Sequence, residues 1–150
     1  MLKTRIIPIL LLQNGYLVKT IKFSSPKYLG DPINAIKIFN DKNVDELILL
    51  DIEATFKKKE PDYNLLEKIS SECFMPICYG GGITKIEQIK RIINIGIEKV
   101  SINSSAFVKS DFIRECSNYF GSQSIVISID VKKTIFQGYN SEDFPIIPQI

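Results

Sequence analysis

The feature that most limits what this 150-residue chain can fold into is a strict alternation of short apolar runs with longer amphipathic ones. Strand-like runs lie at Ile6–Leu12, Glu46–Leu50, Pro76–Cys78, Lys99–Ile102 and Ser124–Ile129. Four helices are predicted between them. Asp31-Pro32 opens the first, with aspartate as N-cap and proline at the first helical position, and Ile33, Ile36 and Phe39 recur at helical spacing. Asp62 leads into the second, which carries Leu65, Leu66, Ile69 and Cys73 on one side. Lys85–Asn94 forms the third, with Ile86, Ile89, Ile92 and Ile93 on one face and Gly96 as its stop. Ser110-Asp111 caps the fourth, which bears Phe112, Ile113, Cys116 and Phe120 and closes at Gly121. Strands that alternate with helices predict an α/β fold with a parallel sheet and helical crossovers. Two architectures satisfy the pattern: an open doubly wound sheet, or the first part of an eight-stranded βα barrel, which needs about 250 residues when complete. Both place ligands beyond the C-terminal ends of the strands.

The residues at those ends are therefore the ones to weigh: Leu11 and Leu12, Asp51, Gly80–Gly82, Asn103-Ser104 and Asp130. The three glycines follow a strand and precede a helix. Glycine lets backbone amides approach an anion closely at a helix N-terminus. Asn103, Ser104 and Ser105 offer short donors on the next loop, so the two loops read as a divided phosphate cradle. Asp51 and Asp130 each end an apolar strand. There a carboxylate serves either as an acid–base or ligand group at the pocket mouth, or as a brace for the following loop. Lys19 and the Ile21–Gly30 segment, with Lys22 and Lys27, read as a basic loop that either closes over an anionic substrate or is simply solvated. Lys57-Lys58-Lys59 reads as a solvated loop face. Arg5, Glu46 and Lys99 stand at the opposite, N-terminal strand ends, where charges by themselves are expected to face solvent.

Histidine is absent, which removes the commonest general base and metal ligand. Acid–base work then falls to Asp, Glu, Lys, Tyr or Cys. Cys73, Cys78 and Cys116 are odd in number and lack the paired spacing of a zinc site, so they read as reduced thiols. Neither a metal nor a cofactor is expected. A net charge of +2 gives no reason to expect nucleic acid or membrane as the partner. No apolar stretch nears the ~20 residues of a membrane span, and the N-terminus lacks the features of a signal peptide. A cytoplasmic location is the expectation.

The segments RIIPIL, NGYLVKT, Gly30-Asp31-Pro32, VDELILLDIEAT, PICYGGGI, EKVSINSSA and FGSQSIVISIDVKK together resemble the cyclase subunit of imidazole glycerol phosphate synthase, a histidine-biosynthesis family. The resemblance runs from Met1 to about Lys133 with its motifs in order. It implies a (βα)8 barrel, here about its first five βα units over residues 1–133, with 134–150 as a divergent tail. It implies a glutaminase subunit docked on the N-terminal face and ammonia passing through the barrel to a ribulotide bearing two phosphates. By position, Gly81, Gly82, Asn103 and Ser104 would help hold one phosphate. Lys19 and Asp51 would line the site, and Asp130 would be one of two catalytic aspartates. Arg5, Glu46 and Lys99 would belong to a charged ammonia gate, and Gln123 to the same face.

Two departures qualify that picture. The family's strand-one aspartate falls on Leu11, and leucine cannot shuttle protons. Loss of such a group typically costs ~10²–10⁴ in rate. The leucine-containing variant resembles a divergent branch linked to surface-polysaccharide genes, in which ammonia is supplied to a sugar amidotransferase that makes acetamidino sugars. Secondly, the pattern ends after Lys133, so the reading expects a truncated barrel lacking a second phosphate site and a fourth gate residue. Besides an ammonia-supplying subunit, the sequence leaves open a true cyclase with another group in place of the aspartate, and a fragment acting at most as a binding module.

Overall fold

The computed structural model describes residues 4–21, 24–108 and 110–130. Its elements in order are β1 (Ile9–Gln13), β2 (Tyr16–Ile21), β3 (Ser24–Gly30), α1 (Pro32–Asp41), β4 (Leu47–Asp51), α2 (Tyr63–Glu72), β5 (Ile77–Gly80), α3 (Ile86–Asn94), β6 (Lys99–Ile102), α4 (Ser104–Val108), α5 (Ser110–Phe120) and β7 (Ile125–Ile127). The sheet runs β3-β2-β1-β4-β5-β6-β7. From β1 onward the neighbours β4, β5, β6 and β7 are all parallel. This order decides between the two expected architectures. A doubly wound sheet reverses direction at a switch point, whereas here each new strand joins on the same side as the last. The described residues form an arc of a (βα)8 TIM barrel with five parallel strands.

Local chemistry accounts for the helix starts. The Asp31 carboxylate accepts from the Ile33 and Asn34 amides at 2.8 and 3.3 Å, with Pro32 following. Asp62 accepts from the Leu65 amide at 3.0 Å. At α3 the cap is made by Gln88, whose side-chain oxygen accepts from Thr84 and Lys85 amides at 2.8 and 3.0 Å. One strand face packs on the helices. Leu12, Leu47, Leu49, Ile77, Tyr79, Val100 and Ile102 meet Ile36, Leu66, Ile69, Ile89, Ile92 and Phe112 in a single core. Full burial of each such Leu or Ile contributes about 1.5–3 kcal/mol. The opposite face, carrying Leu11, Leu50, Gly80, Ser101 and Val126 in one register row, lines the barrel interior.

Three expectations change. Ser24–Gly30 of the expected loop is a strand: β2 and β3 are antiparallel, with Leu17 opposite Gly30, Val18 opposite Tyr28 and Lys19 opposite Lys27. The hairpin is fixed because β2 also pairs with the end of β1, Leu11 opposite Val18. Lys22 lies outside the described residues. The third parallel strand ends at Gly80 instead of Cys78, because Gly80 continues the ladder against Leu50 and Ser101. Finally, the short helix α4 precedes α5. The proposed tail 134–150 lies outside the described residues.

Candidate active site and ion cluster

The two ends of the strands differ in chemistry. At the N-terminal end, Arg5 precedes β1, Glu46 immediately precedes β4, and Lys99 opens β6. Strand alternation puts Glu46 on the same face as Ile48 and Leu50, and Lys99 on that of Ser101, so both turn into the barrel. Arg5 Nη2 lies 2.7 Å from Glu46 Oε2. Lys99 Nζ reaches across the intervening β5 to both Glu46 oxygens, at 2.8 and 2.7 Å. Glu46 is only 3% exposed. Spacing alone predicts that these charges face solvent; the structure instead buries the carboxylate of Glu46 between two cations. A buried carboxylate is tolerated because both oxygens are paired. Gln123 sits at the same end, in a 3-10 turn (Ser122–Ser124) before β7, and is exposed. Its side chain folds over Gly121.

At the C-terminal end, the structure brings some predicted residues together and separates others. Asn103 Nδ2 donates to Asp130 Oδ2 at 2.9 Å, joining the ends of β6 and β7 at an exposed position. The glycine loop and the Asn103-Ser104 loop are adjacent, linked by Ser105 Oγ donating to the Ile83 carbonyl at 2.6 Å. Ser104 opens α4, part-exposed. Lys19 is exposed on β2, opposite Lys27. Leu11 shares its row with Leu50, Gly80, Ser101 and Val126, none of which carries a titratable proton at neutral pH.

Asp51 shares register with the buried Leu12. Its Oδ1 accepts from the Glu53 and Ala54 amides at 2.9 and 3.0 Å. Burial pushes its carboxyl above the ordinary value, while those two amides pull it back. The contacts shown are those of the loop brace, the alternative left open by the sequence.

The glycines have packing reasons of their own. Gly81 (φ +137°) would place a Cβ 2.7 Å from the Asp51 Cβ, and Gly82 (φ +67°) would place one 2.6 Å from the Lys59 carbonyl oxygen. Close approach of the β4–α2 loop thus requires glycine there. The Gly82 amide makes a long bond, 3.4 Å, to Thr55 Oγ1.

Sequence reasoning missed Glu53. It is 8% exposed and ties the end of β1 to the β4–α2 loop: Gln13 Nε2 donates to it at 2.9 Å, Lys57 Nζ at 2.7 Å, and Lys59 Nζ stands 3.7 Å away. The Lys57 hydrogen bond holds this carboxyl below its usual value, against the cost of burial. The lysine run is therefore not merely a solvated face, since two of its members anchor a buried anion. The signal was the i, i+4 spacing of Glu53 and Lys57. Burial pushes the Cys78 thiol up to about 12 and Cys116 up to about 11. Among the described residues, no group of three His, Cys, Asp or Glu side chains is placed to hold a metal. None of the helices there is long and apolar enough to cross a membrane.

The fold and site define a class: a TIM-barrel arc with an ion cluster around a buried glutamate at the strand starts and glycine, asparagine and aspartate at the strand ends. The family model for histidine biosynthesis protein matches residues 5–144, and the chain belongs to that family. It is 54% identical over 140 residues to a Pseudomonas aeruginosa protein provisionally named imidazole glycerol phosphate synthase subunit hisF2, covering 93% of this chain and 56% of the relative. A Leptospira interrogans relative, provisionally named subunit HisF of the same synthase, is 53% identical over 135 residues, 90% of this chain and 53% of the relative. A Campylobacter jejuni relative, provisionally named subunit hisF2, is 51% identical over 133 residues, 89% of this chain and 53% of the relative. The chain spans about half the length of the curated relatives it matches.

Proposed function

We propose that this chain is a cyclase-like subunit of an imidazole glycerol phosphate synthase type of glutamine amidotransferase system, specialised for supplying ammonia. A glutaminase subunit docks on the N-terminal face, and ammonia enters past Arg5, Glu46 and Lys99. The observation that carries the reading is the pairing of the Arg5–Glu46–Lys99 cluster with Leu11 in an interior row that has no acid–base group. A conduit for uncharged ammonia needs an entrance and an apolar wall; it does not need the strand-one carboxylate. The acceptor is then a second enzyme, a sugar amidotransferase that makes acetamidino groups on surface sugars. In this reading Gly81, Gly82, Asn103 and Ser104 serve one phosphate, and Lys19 and Asp51 line the mouth. Asp130 keeps its place as an acid–base group, held by Asn103.

The test mixes the chain with the glutaminase subunit from the same organism, glutamine and the ribulotide. The expected outcome is faster glutamine hydrolysis and release of free ammonia, with the ribulotide unconsumed. Steady consumption of the ribulotide with free ammonium would overturn ammonia supply in favour of a true cyclase. If only Leu11→Asp gives turnover, with a gain on the order of 10²-fold, the reading is supported.

A further inference from the structure

Tyr79 brings a polar atom into the core. It lies on β5 and is only 1% exposed. Its hydroxyl makes no hydrogen bond to any described residue. A tyrosine in a core normally finds a partner for its O–H, because an unpaired buried donor forfeits its hydration. Phenylalanine would fill the same space without that cost, so the hydroxyl itself needs an explanation.

The strand register shows where the hydroxyl goes. Leu49 is the β4 partner of Tyr79, and both belong to the core beneath the helices. Asp51 lies two residues beyond Leu49 and shares register with Leu12, another member of that core. Asp51 therefore stands on the same face as Tyr79, one diagonal step toward the strand ends, within reach of a long aromatic side chain. The groups that act on the phenol agree with this direction. Burial raises its pKa most, followed by Asp51, Asp62 and Tyr63. Asp51 ends β4, while Asp62 and Tyr63 begin α2. The ring thus runs toward the underside of the β4–α2 loop, and the phenol keeps its proton as a donor.

Asp51 supplies the acceptor. Both hydrogen bonds that it accepts, from the Glu53 and Ala54 amides, end on Oδ1. A molecule seated between phenol and carboxylate must accept from one and donate to the other. An anion would be repelled by Asp51 and Asp62, and a cation would leave the phenol proton unpaired. Water does both, and it occupies buried sites that offer at least two polar partners.

We infer that one water molecule is bound between the Tyr79 hydroxyl and the Asp51 carboxylate, under the β4–α2 loop, and joins β5 to the loop that Asp51 braces. The site is independent of how the protein uses ammonia.

Two measurements on the full chain test it. A high-resolution crystal structure is expected to show a water about 2.6–3.0 Å from Tyr79 Oη and within hydrogen-bond distance of the Asp51 carboxylate. A phenol bonded directly to a protein group, or left without any partner, would overturn the site. In thermal melting, Tyr79→Phe is expected to lower the midpoint by about 2–4 °C, because it removes a satisfied hydrogen bond. An unchanged or higher midpoint would mean that the hydroxyl is a buried orphan, and the proposal would fall. In an Asp51→Ala background the same substitution is expected to cost less than half as much. An undiminished cost would break the link to Asp51 and overturn the bridge.

Discussion

The floor of this barrel arc and its mouth are built on opposite plans. At the floor, side chains from three strand starts converge on one buried carboxylate, and every oxygen of that carboxylate is paired. At the mouth, the predicted groups are dispersed. Asn103 and Asp130 pair at an exposed position, Asp51 turns back to brace its loop, Lys19 faces Lys27 across a hairpin, and strand one offers Leu11. The charge of the floor is held in a fixed internal structure, while at the mouth the described titratable groups Asp51 and Asp130 are held by separate partners. That asymmetry is the ground on which the proposed role in ammonia supply rests.

The largest effect is expected from breaking the floor. Glu46→Gln leaves Lys99 and Arg5 without their counter-charge, and removing one member of a buried pair costs about 3 kcal/mol. Urea unfolding would show it as a lower midpoint, and stimulation of the glutaminase should be lost with it. An unchanged midpoint would mean that the cluster is effectively solvated and that the contrast with the mouth is false. Next in size is Gly82→Ala. A Cβ there meets the Lys59 carbonyl at a positive φ, and strain of this kind costs about 2 kcal/mol. If thermal melting shows no loss, the β4–α2 loop is free to move and the glycine serves a ligand instead.

Smaller effects are expected in the β4–α2 loop. Lys57→Ala removes one arm of the Glu53 hub. Because Lys57 is 40% exposed, screening limits the cost to about 0.5–1 kcal/mol. Smallest is a pH effect. The carboxyl of Glu53 is held below its ordinary value, so its contribution is present above pH 4.5 and fades as pH falls through the depressed folded value. Unfolding curves of Glu53→Gln should be flatter with pH in that acid range than those of wild type. A parallel pH profile would show that the carboxylate makes no net contribution.

Much of this was legible in residues. Asp31-Pro32 and Asp62 announced helix starts that the structure reproduces through their carboxylates. Periodic isoleucines marked the buried side of α3, and the leucine at position 11 was visible at once. The hairpin was not legible, because Ser24–Gly30 carries Pro26, Lys27 and little alternation, and its strand state comes from pairing with β2. Glu53 was hidden for a similar reason. Its partners include Gln13, forty residues earlier, and only the parallel neighbours β1 and β4 bring them together.

By itself the sequence determined the order of the parallel strands and the helices between them, and the caps at Asp31 and Asp62, because these follow from local periodicity and short-range hydrogen bonding. The tertiary structure alone decided three things. Sequential parallel pairing closed the choice between an open sheet and a barrel arc. Strand alternation turned Glu46 and Lys99 inward, so that Glu46 is buried between Lys99 and an exposed Arg5. The geometry of a turn sent Asp51 to its own loop. Each depends on contacts between residues far apart in the chain, where direction and burial outweigh any preference a residue carries alone.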